Sequence, residues 1–271
     1  MSEEMSYTDY EGSDMKKRFE MTIPILLLIL VFVVVGWQLK WFAGIPLLSQ
    51  FFHGPNIDIA VIGNDQSLVR ALEDIRKDLP INLYVFNKSN LYNIRDPAKF
   101  AEYDMIILTE GQDGDTIDLE ATTLDYLNSF VASGKPAIVI GLAGSKVTNS
   151  TAASGWIKLG FVPVKCKTTS CSSVSVSFNR LTMFVKDINH PILKEFVEPL
   201  VFQNGGSVIY AMINPEQGVS ILDMEIETGA QTYDNAALVE RTGSTGGKVM
   251  YFAFHPSLYQ PLLYNTIKYL R

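Results

Sequence analysis

One uninterrupted apolar run stands near the start of the chain. From Met21 to Trp37 the sequence reads MTIPILLLILVFVVVGW, and no charged side chain occurs before Lys40. A helix needs about 20 apolar residues to cross the hydrocarbon core of a bilayer. The run also lacks the polar stripe that a helix at the surface of a globular protein carries. We therefore predict a transmembrane helix over residues 21–39.

Residues 56–271 begin with an alternation of strand-like and helix-like patterns. The strand-like stretches are short and apolar on both faces, which is typical of a parallel sheet covered by helices. The helix-like stretches carry apolar residues on one face. These patterns predict a three-layer, doubly wound α/β domain with a mostly parallel sheet. The predicted strands are Ile57–Gly63, Leu83–Phe86, Tyr103–Thr109 and Pro136–Ile140, and the predicted helices are Gln66–Leu79 and Leu119–Ser133.

The second half of this region has the pattern of a β-rich C-terminal extension. Two stretches near its start, Val174–Phe178 and Thr182–Val185, resemble strands that pair with each other in an antiparallel arrangement. A glycine-rich turn at Gly243–Gly247 predicts a hairpin between the β patterns on its two sides. The other predicted strands are Ser207–Ile213, Gly218–Leu222, Ala236–Arg241 and Lys248–Phe254, and a closing amphipathic helix covers Leu262–Leu270.

The basic residues around the apolar run predict its orientation. Lys16, Lys17 and Arg18 precede the run, whereas only Lys40 follows it closely. Because positive residues concentrate on the cytoplasmic side of a membrane helix, the N-terminus is expected inside the cell. A cleaved signal peptide is the alternative, which the length of the run disfavours. The expected organisation is a cytoplasmic tail (residues 1–20), a transmembrane helix (21–39), a juxtamembrane linker (40–55) and an extracytoplasmic domain (56–271) of a single-pass cell-membrane protein.

Composition and charge limit the partners and the kinds of site that are expected of this domain. The formal net charge is −7, which argues against a surface that neutralises the phosphates of nucleic acid. The three histidines are scattered, so no metal site is predicted. Cys166 and Cys171 are the only cysteines and are expected to form a disulfide, with two reduced thiols as the alternative. Asn87 and Asn149 begin N-glycosylation motifs, which agrees with an exterior location.

Three segments of the domain resemble parts of class I glutamine amidotransferase-like proteins, particularly their ThuA-like, non-catalytic branch. Tyr103–Gly144 is similar to the family's strand, helix, strand and nucleophile-elbow unit. Phe184–Phe196, which contains DINHPI, resembles the Asp-His-Pro-Ile pattern of ThuA-like chains. Gly247–Pro256 and the helix after it are similar to the family's last hairpin and its His-Pro turn. The order of these segments implies the family's fold over most of residues 56–271.

The resemblance also implies that the family's catalytic nucleophile is missing. In catalytic members a cysteine at the elbow attacks an amide carbon, a histidine takes its proton, and an acidic residue orients the histidine. The elbow here reads GLAG at residues 141–144, so Ala143 stands where the cysteine is expected. His255 matches the His-Pro turn, but Ser257 stands in the place of the acid. The resemblance therefore excludes amidotransfer.

Other residues near the elbow suggest a different chemistry. Ser145 as nucleophile and His255 as base, with Glu110 or Asp113 as the orienting acid, would make a hydrolase. The structural alternative treats Ser145 as a helix N-cap and His255 as a packed turn residue. The acidic segment EGQDGD at residues 110–115 carries oxygen ligands that suit a cation, but such segments are more often solvated loops.

We therefore expect a non-enzymatic module that recognises a protein or a glycan at the cell envelope and uses no cofactor. Its expected partners are the lipid bilayer, through residues 21–39, and an envelope or membrane protein. The alternatives are an extracytoplasmic hydrolase or sugar-processing enzyme, and an accessory subunit of a transporter or another membrane complex. Doubly wound folds bind ligands at the carboxyl ends of their strands. The expected ligand-binding crevice is lined by Gly63, Asn64, Glu110, Gly141, Ala143 and His255.

Overall fold

The chain divides into two compact units, Met1–Pro55 and Asn56–Arg271. The computed structural model describes residues 24–35, 56–87, 97–110, 119–147, 155–168, 171–194, 196, 199–244 and 247–271. In the first unit, residues 24–35 form an apolar helix, α1. None of the helices in the described ranges combines the length and the apolar character needed to cross a bilayer. Residues 21–23 and 36–39 of the predicted transmembrane helix lie outside the described residues.

The second unit is built on a mixed sheet. In its described part, nine strands form one sheet in the order β2-β1-β3-β4-β11-β10-β9-β6-β7, and β5 pairs with β8 in a separate two-stranded sheet. The strands are β1 (Ile57–Ile62), β2 (Ile81–Phe86), β3 (Met105–Leu108), β4 (Ala137–Ile140), β5 (Val164–Cys166), β6 (Ser173–Val185), β7 (Leu200–Ala211), β8 (Ile213–Pro215), β9 (Val219–Glu227), β10 (Thr232–Thr242) and β11 (Lys248–Phe252).

The first five strands of the large sheet are parallel to one another. β1 pairs with β2 and β3, and β4 pairs with β3 and β11, all in parallel register. Every residue of β3 and β4 is buried, as expected for strands that are covered on both faces. The prediction of a mixed α/β fold with a mostly parallel central sheet is confirmed. The helices of this unit are α2 (Gln66–Ile75), α3 (Ala121–Ala132), α4 (Gly155–Leu159) and α5 (Gln260–Leu270).

The remaining four strands, β10, β9, β6 and β7, form the antiparallel half of the sheet. The two strands predicted at residues 174–178 and 182–185 do not pair with each other, because both belong to the single long strand β6. A β-bulge between Phe178 and Arg180 separates them, where a turn would be needed for a hairpin. At the end of β7 the antiparallel half of the sheet curls back toward β11. The Ala211 N–H there donates a hydrogen bond at 2.7 Å to the carbonyl of Ala253, the residue after β11.

One buried amide holds the curl, and a disulfide closes the short connection between β5 and β6. Asn235 on β10 accepts a hydrogen bond from the Ile213 N–H at 3.2 Å and donates to the Ala211 carbonyl at 2.9 Å. Its side chain therefore bonds the backbone on both sides of the β7–β8 junction. Cys166, the last residue of β5, forms a disulfide with Cys171, which lies just before β6.

Candidate functional site

The carboxyl ends of β1, β3, β4 and β11 meet at one edge of the sheet, because these strands are parallel. The chain leaves β1 toward β2 on one side, whereas β3 lies on the other side of β1. Such a reversal of strand order is where doubly wound sheets place their ligands. The polar residues that follow the four strands therefore form the candidate site.

His255, which follows β11, is held at both ring nitrogens. Its Nε2 lies 2.5 Å from Asp65 Oδ2, and its Nδ1 lies 2.6 Å from Ser257 Oγ. The Ser257 N–H also donates to Nδ1 at 3.2 Å, so Nδ1 is the accepting nitrogen and Nε2 carries the proton that Asp65 accepts. Neither ring nitrogen is therefore directed at the turn that contains Ala143.

Asp65 follows β1 and is the N-cap of α2. Its Oδ1 accepts hydrogen bonds from the Leu68 N–H at 3.0 Å and from Ser67 Oγ at 2.6 Å. Its Oδ2 accepts from Thr109 Oγ1 at 2.7 Å as well as from His255. The residue is 4% exposed, and both oxygens of its carboxylate accept hydrogen bonds from groups of the protein.

The pKa of Asp65 reflects two opposing influences. Burial is the largest single influence and raises it, because a carboxylate loses its hydration inside the protein. The hydrogen bonds from His255, Ser67 and the Leu68 N–H outweigh burial and lower the pKa of Asp65 from 3.8 to about 2. Asp65 therefore stays ionised at any physiological pH.

Glu110, which follows β3, is also buried, but it serves a different part of the site. Its Oε2 accepts a hydrogen bond from the Leu142 N–H at 2.5 Å, and Ser173 Oγ lies 3.0 Å from its Oε1. Burial raises the pKa of Glu110, against the lowering effect of these two hydrogen bonds. The carboxylate therefore braces the turn after β4 and is not hydrogen-bonded to His255.

The turn after β4, residues 141–144, is the segment that resembles a nucleophile elbow. Gly141 and Gly144 both have positive φ angles, 59° and 69°, which explains why glycine occupies these positions. Ala143 is buried, and its carbonyl accepts a hydrogen bond from Trp156 Nε1 at 2.9 Å. The expected position of the nucleophile thus carries only a buried methyl group.

Ser145, which follows the turn, does not have the capping role that the sequence suggested. No helix begins at this residue, so it is not a helix N-cap. Its side chain is buried, and its Oγ has no hydrogen-bond partner among the described residues. The structure therefore brings Ser145 together with neither His255 nor Glu110 through a hydrogen bond.

The described loops of the predicted crevice are packed closely against one another. A Cβ atom at Gly63 would lie 2.5 Å from the Thr109 carbonyl oxygen, and one at Gly141 would lie 2.1 Å from Glu110 Oε2. The loops after β1, β3 and β4 are therefore in direct contact. The cavity lined by Glu110, Gly141 and His255 has a volume of about 20 Å³, which is room for one water molecule. Asn64 is exposed at the outer side of these loops.

Several predicted residues cannot be placed in this site. Gln112, Asp113 and Asp115 of the acidic segment and Asn149 lie outside the described residues, as do the two residues that complete the glycosylation motif of Asn87. Among the residues that the structure does describe, no group of His, Cys, Asp and Glu side chains could hold a metal ion.

The sequence analysis missed Asp65, Ser67 and Thr109, which form the polar core of the site with His255. One signal was available, because Asp65 follows a predicted strand and directly precedes an amphipathic helix, the usual position of an N-cap. That position predicts a capping role. The contact with His255 links residues that are 190 positions apart, which no local pattern reveals.

Comparisons with known proteins bear on the fold. Neither a protein-family model nor a curated protein matches this chain. A cytoplasmic protein from Salmonella typhimurium has a similar structure, with 14% identity over 78% of this chain and 98% of that chain and a TM-score of 0.54. Similar structures also include PurLQS from Thermotoga maritima (14% identity, 79% of this chain, 100% of that chain, TM-score 0.47) and a glutamine amidotransferase from Methylobacillus flagellatus (12%, 78%, 75%, TM-score 0.37). The first of these likenesses supports a shared α/β fold and nothing more specific.

Proposed function

We propose that this chain is a membrane-anchored recognition protein whose domain, residues 56–271, is a non-catalytic relative of the glutamine amidotransferase-like proteins. The observation that carries the proposal is the state of His255. Its Nε2, which would have to face a nucleophile at the elbow, is bonded to Asp65, and Ala143 supplies no nucleophile. A domain of this fold in this state can hold a partner but lacks the groups for amidotransfer.

The other groups of the site support the same conclusion. Ser257 occupies Nδ1 of His255, and the Leu142 N–H and Ser173 occupy the Glu110 carboxylate. A catalytic site keeps such groups directed at the place where the substrate reacts. Here they bond to neighbouring protein groups, and the cavity that Glu110, Gly141 and His255 line among the described residues has a volume of about 20 Å³.

The membrane location and the ThuA-like assignment rest on the sequence. The apolar residues 21–39 match the length of a membrane span, and the basic residues before them favour a cytoplasmic N-terminus. The His-Pro pattern and the GLAG turn favour the ThuA-like, non-catalytic branch. Within this proposal the recognised partner is a protein or a glycan of the cell envelope.

A hydrolase is the second candidate, because Asp65, His255 and Ser257 form a continuous chain of hydrogen bonds. Their order of carboxylate, imidazole and hydroxyl matches acid, base and nucleophile in Ser-His-Asp enzymes. Against this reading, the His255 side chain also caps the short 3₁₀ helix Pro256–Tyr259, a structural role that accounts for its contact with Ser257. Ser257 also does not line the small cavity beside His255.

A fluorophosphonate probe distinguishes the two candidates. We expect the full-length protein, purified in detergent, to remain unlabelled and to hydrolyse no small amide, ester or glycoside, because Ser257, whose hydroxyl is bonded to His255, does not line the cavity beside that histidine. Labelling that disappears in Ser257→Ala or Ser145→Ala would instead establish an enzyme. Ser129→Ala is the matched control, since Ser129 is an exposed serine on α3.

Protease treatment of intact cells tests the topology separately. With epitope tags at both ends, external protease is expected to remove the C-terminal tag and to leave the N-terminal tag, because positive residues before the span hold the tail inside. The protein should also resist extraction from membranes with alkaline carbonate. Protection of the C-terminal tag, or release of the protein by carbonate, would contradict a membrane anchor with an exterior domain.

A further inference from the structure

A groove of about 480 Å³ lies on the antiparallel half of the sheet, away from the carboxyl ends of the parallel strands. It runs over β6, β9 and β10 and is bounded by β8, and we call it the β9 groove. Phe184, Glu225 and Asp234 line it. Its volume is in the range of about 300–1,000 Å³ that is common for ligand sites.

Three acidic residues form a row on β9 beside the groove, and the outer two are paired with basic residues. Asp223, Glu225 and Glu227 alternate along β9 and therefore point to the same face of the sheet. The two outer carboxylates have basic partners. Lys186 Nζ lies 2.9 Å from Asp223 Oδ2, and Arg180 lies 3.6 Å from Glu227 Oε1. The middle carboxylate, Glu225, has no basic partner among the described residues.

The residues opposite Glu225 on the adjacent strands supply no basic partner for its carboxylate. On β6, the residue opposite Glu225 is Thr182, which is buried and uncharged. On β10, the residue opposite is Asp234, a second carboxylate. Lys167 reaches Asp234, but its Nζ bonds the main-chain carbonyl oxygen at 2.7 Å. Like charges directly opposite each other in a sheet are destabilising, so the pair has a net cost in the free domain.

An exposed aromatic ring lies next to this carboxylate pair. Phe184 is 41% exposed, lines the groove, and stands opposite Asp223, two positions along β9 from Glu225. A ring face attracts a cationic side chain and also packs against its aliphatic stem. Among the described residues, neither Glu225 nor Asp234 has an ion-pair partner for its carboxylate, and this pair beside an exposed ring is a complement to lysine or arginine.

We propose that the β9 groove binds a segment of a partner protein that places a lysine or arginine between Glu225 and Asp234. This inference rests on the proposed recognition function and names its site and the chemistry of its partner. The inserted cation completes the row of ion pairs between Lys186 and Arg180. The net charge of −7 favours the approach of a basic partner at long range.

A guanidinium or ammonium group fits this site better than a metal ion does. Calcium takes about six to eight oxygen ligands, whereas Glu225 and Asp234 are the carboxylates of the groove that have no ion pair within the described ranges. A planar guanidinium, by contrast, can donate to both carboxylates at once. A glycan would use the same carboxylates as hydrogen-bond acceptors, but it would not compensate their charge.

The test is fluorescence anisotropy with the full-length protein in detergent and three labelled hexapeptides, in which valine alternates with arginine, lysine or glutamate. We expect saturable binding of the arginine and lysine peptides only. The double variant Glu225→Gln/Asp234→Asn should weaken binding by about tenfold, and Phe184→Ala by a few-fold. Removing the carboxylate pair relieves repulsion, so the variant is expected to fold, which its melting temperature checks.

A matched variant separates this site from general attraction to an acidic protein. Glu73→Gln/Asp78→Asn removes the same charge from exposed positions at α2 and should change binding by less than about twofold. Equal losses in the two double variants, an absence of saturable peptide binding, or displacement of the peptide by unlabelled chitotetraose would overturn the proposal. None of these results depends on the fluorophosphonate experiment, so the groove can fail while the non-catalytic assignment stands.

Discussion

Replacing Asp65 with asparagine is expected to lower the free energy of unfolding by about 2–3 kcal/mol at pH 7. Asparagine keeps one oxygen for Ser67 and the Leu68 N–H, but its amide nitrogen cannot accept the hydrogen bonds from Thr109 and His255. The imidazole cannot adapt by changing its tautomer, because Nδ1 accepts from the Ser257 N–H. Buried donors therefore lose their acceptor.

The same substitution is expected to remove a pH dependence. Because the pKa of Asp65 is lowered from 3.8 to about 2 by folding, its carboxylate stabilises the native state fully above about pH 4. This contribution, about 2 kcal/mol, is lost as the pH falls from about 4 to about 2, because the carboxyl group is then protonated in the unfolded chain and still ionised in the native state, so that proton uptake favours unfolding. The difference between wild type and Asp65→Asn should accordingly shrink over that interval.

Urea unfolding followed by near-ultraviolet circular dichroism at pH 7 and pH 3 measures both effects. Asp74→Asn is the matched control, because Asp74 lies on the same helix, is exposed, and pairs only with Lys77 at the surface. Its effect should stay below about 0.5 kcal/mol. Equal stability of Asp65→Asn and wild type at pH 7 would contradict the role given to this carboxylate.

Asn235→Ala is expected to destabilise the domain by about 3–4 kcal/mol. The amide makes three hydrogen bonds to backbone groups, and two of them hold Ala211 and Ile213 on either side of the β7–β8 junction. Removing it leaves a buried N–H and a buried carbonyl without partners, which costs more than the loss of an exposed hydrogen bond.

Hydrogen exchange of the full-length protein locates this effect. Amides of β7 and β8 should lose protection in Asn235→Ala, whereas those of the parallel half should change less. Asn214→Ala is the control, because Asn214 is the exposed neighbour of Ile213. If Asn214→Ala and Asn235→Ala shift the melting temperature equally, the amide does not hold the curl of the sheet.

Local patterns predicted the parallel half of the fold well, because each of its elements has its own signature. The strand at residues 105–108 is apolar throughout, and α2 carries its buried residues on one face, as the spacing indicated. The glycine-rich turn correctly predicted the hairpin of β10 and β11. These signals depend on neighbours in the sequence, so they can be read without knowledge of the tertiary structure.

The errors arose where distant residues decide the outcome. The interruption in β6 looks like a turn, and only the partner strand β7 shows that it is a bulge. Serine is a common N-cap residue, but no helix begins directly after Ser145. Gly63 and Gly141 of the expected crevice are in close contact with Thr109 and Glu110, which the sequence does not reveal.

The place of β11 in the sheet has a consequence for biosynthesis. This strand, residues Lys248–Phe252, joins β4 to β10 at the centre, although it follows the other strands of the sheet in the sequence. Until it emerges, the two halves of the sheet each present an unpaired edge, which is a template for association with other chains. A polypeptide that stops before residue 248 should therefore be aggregation-prone and form no smaller stable domain.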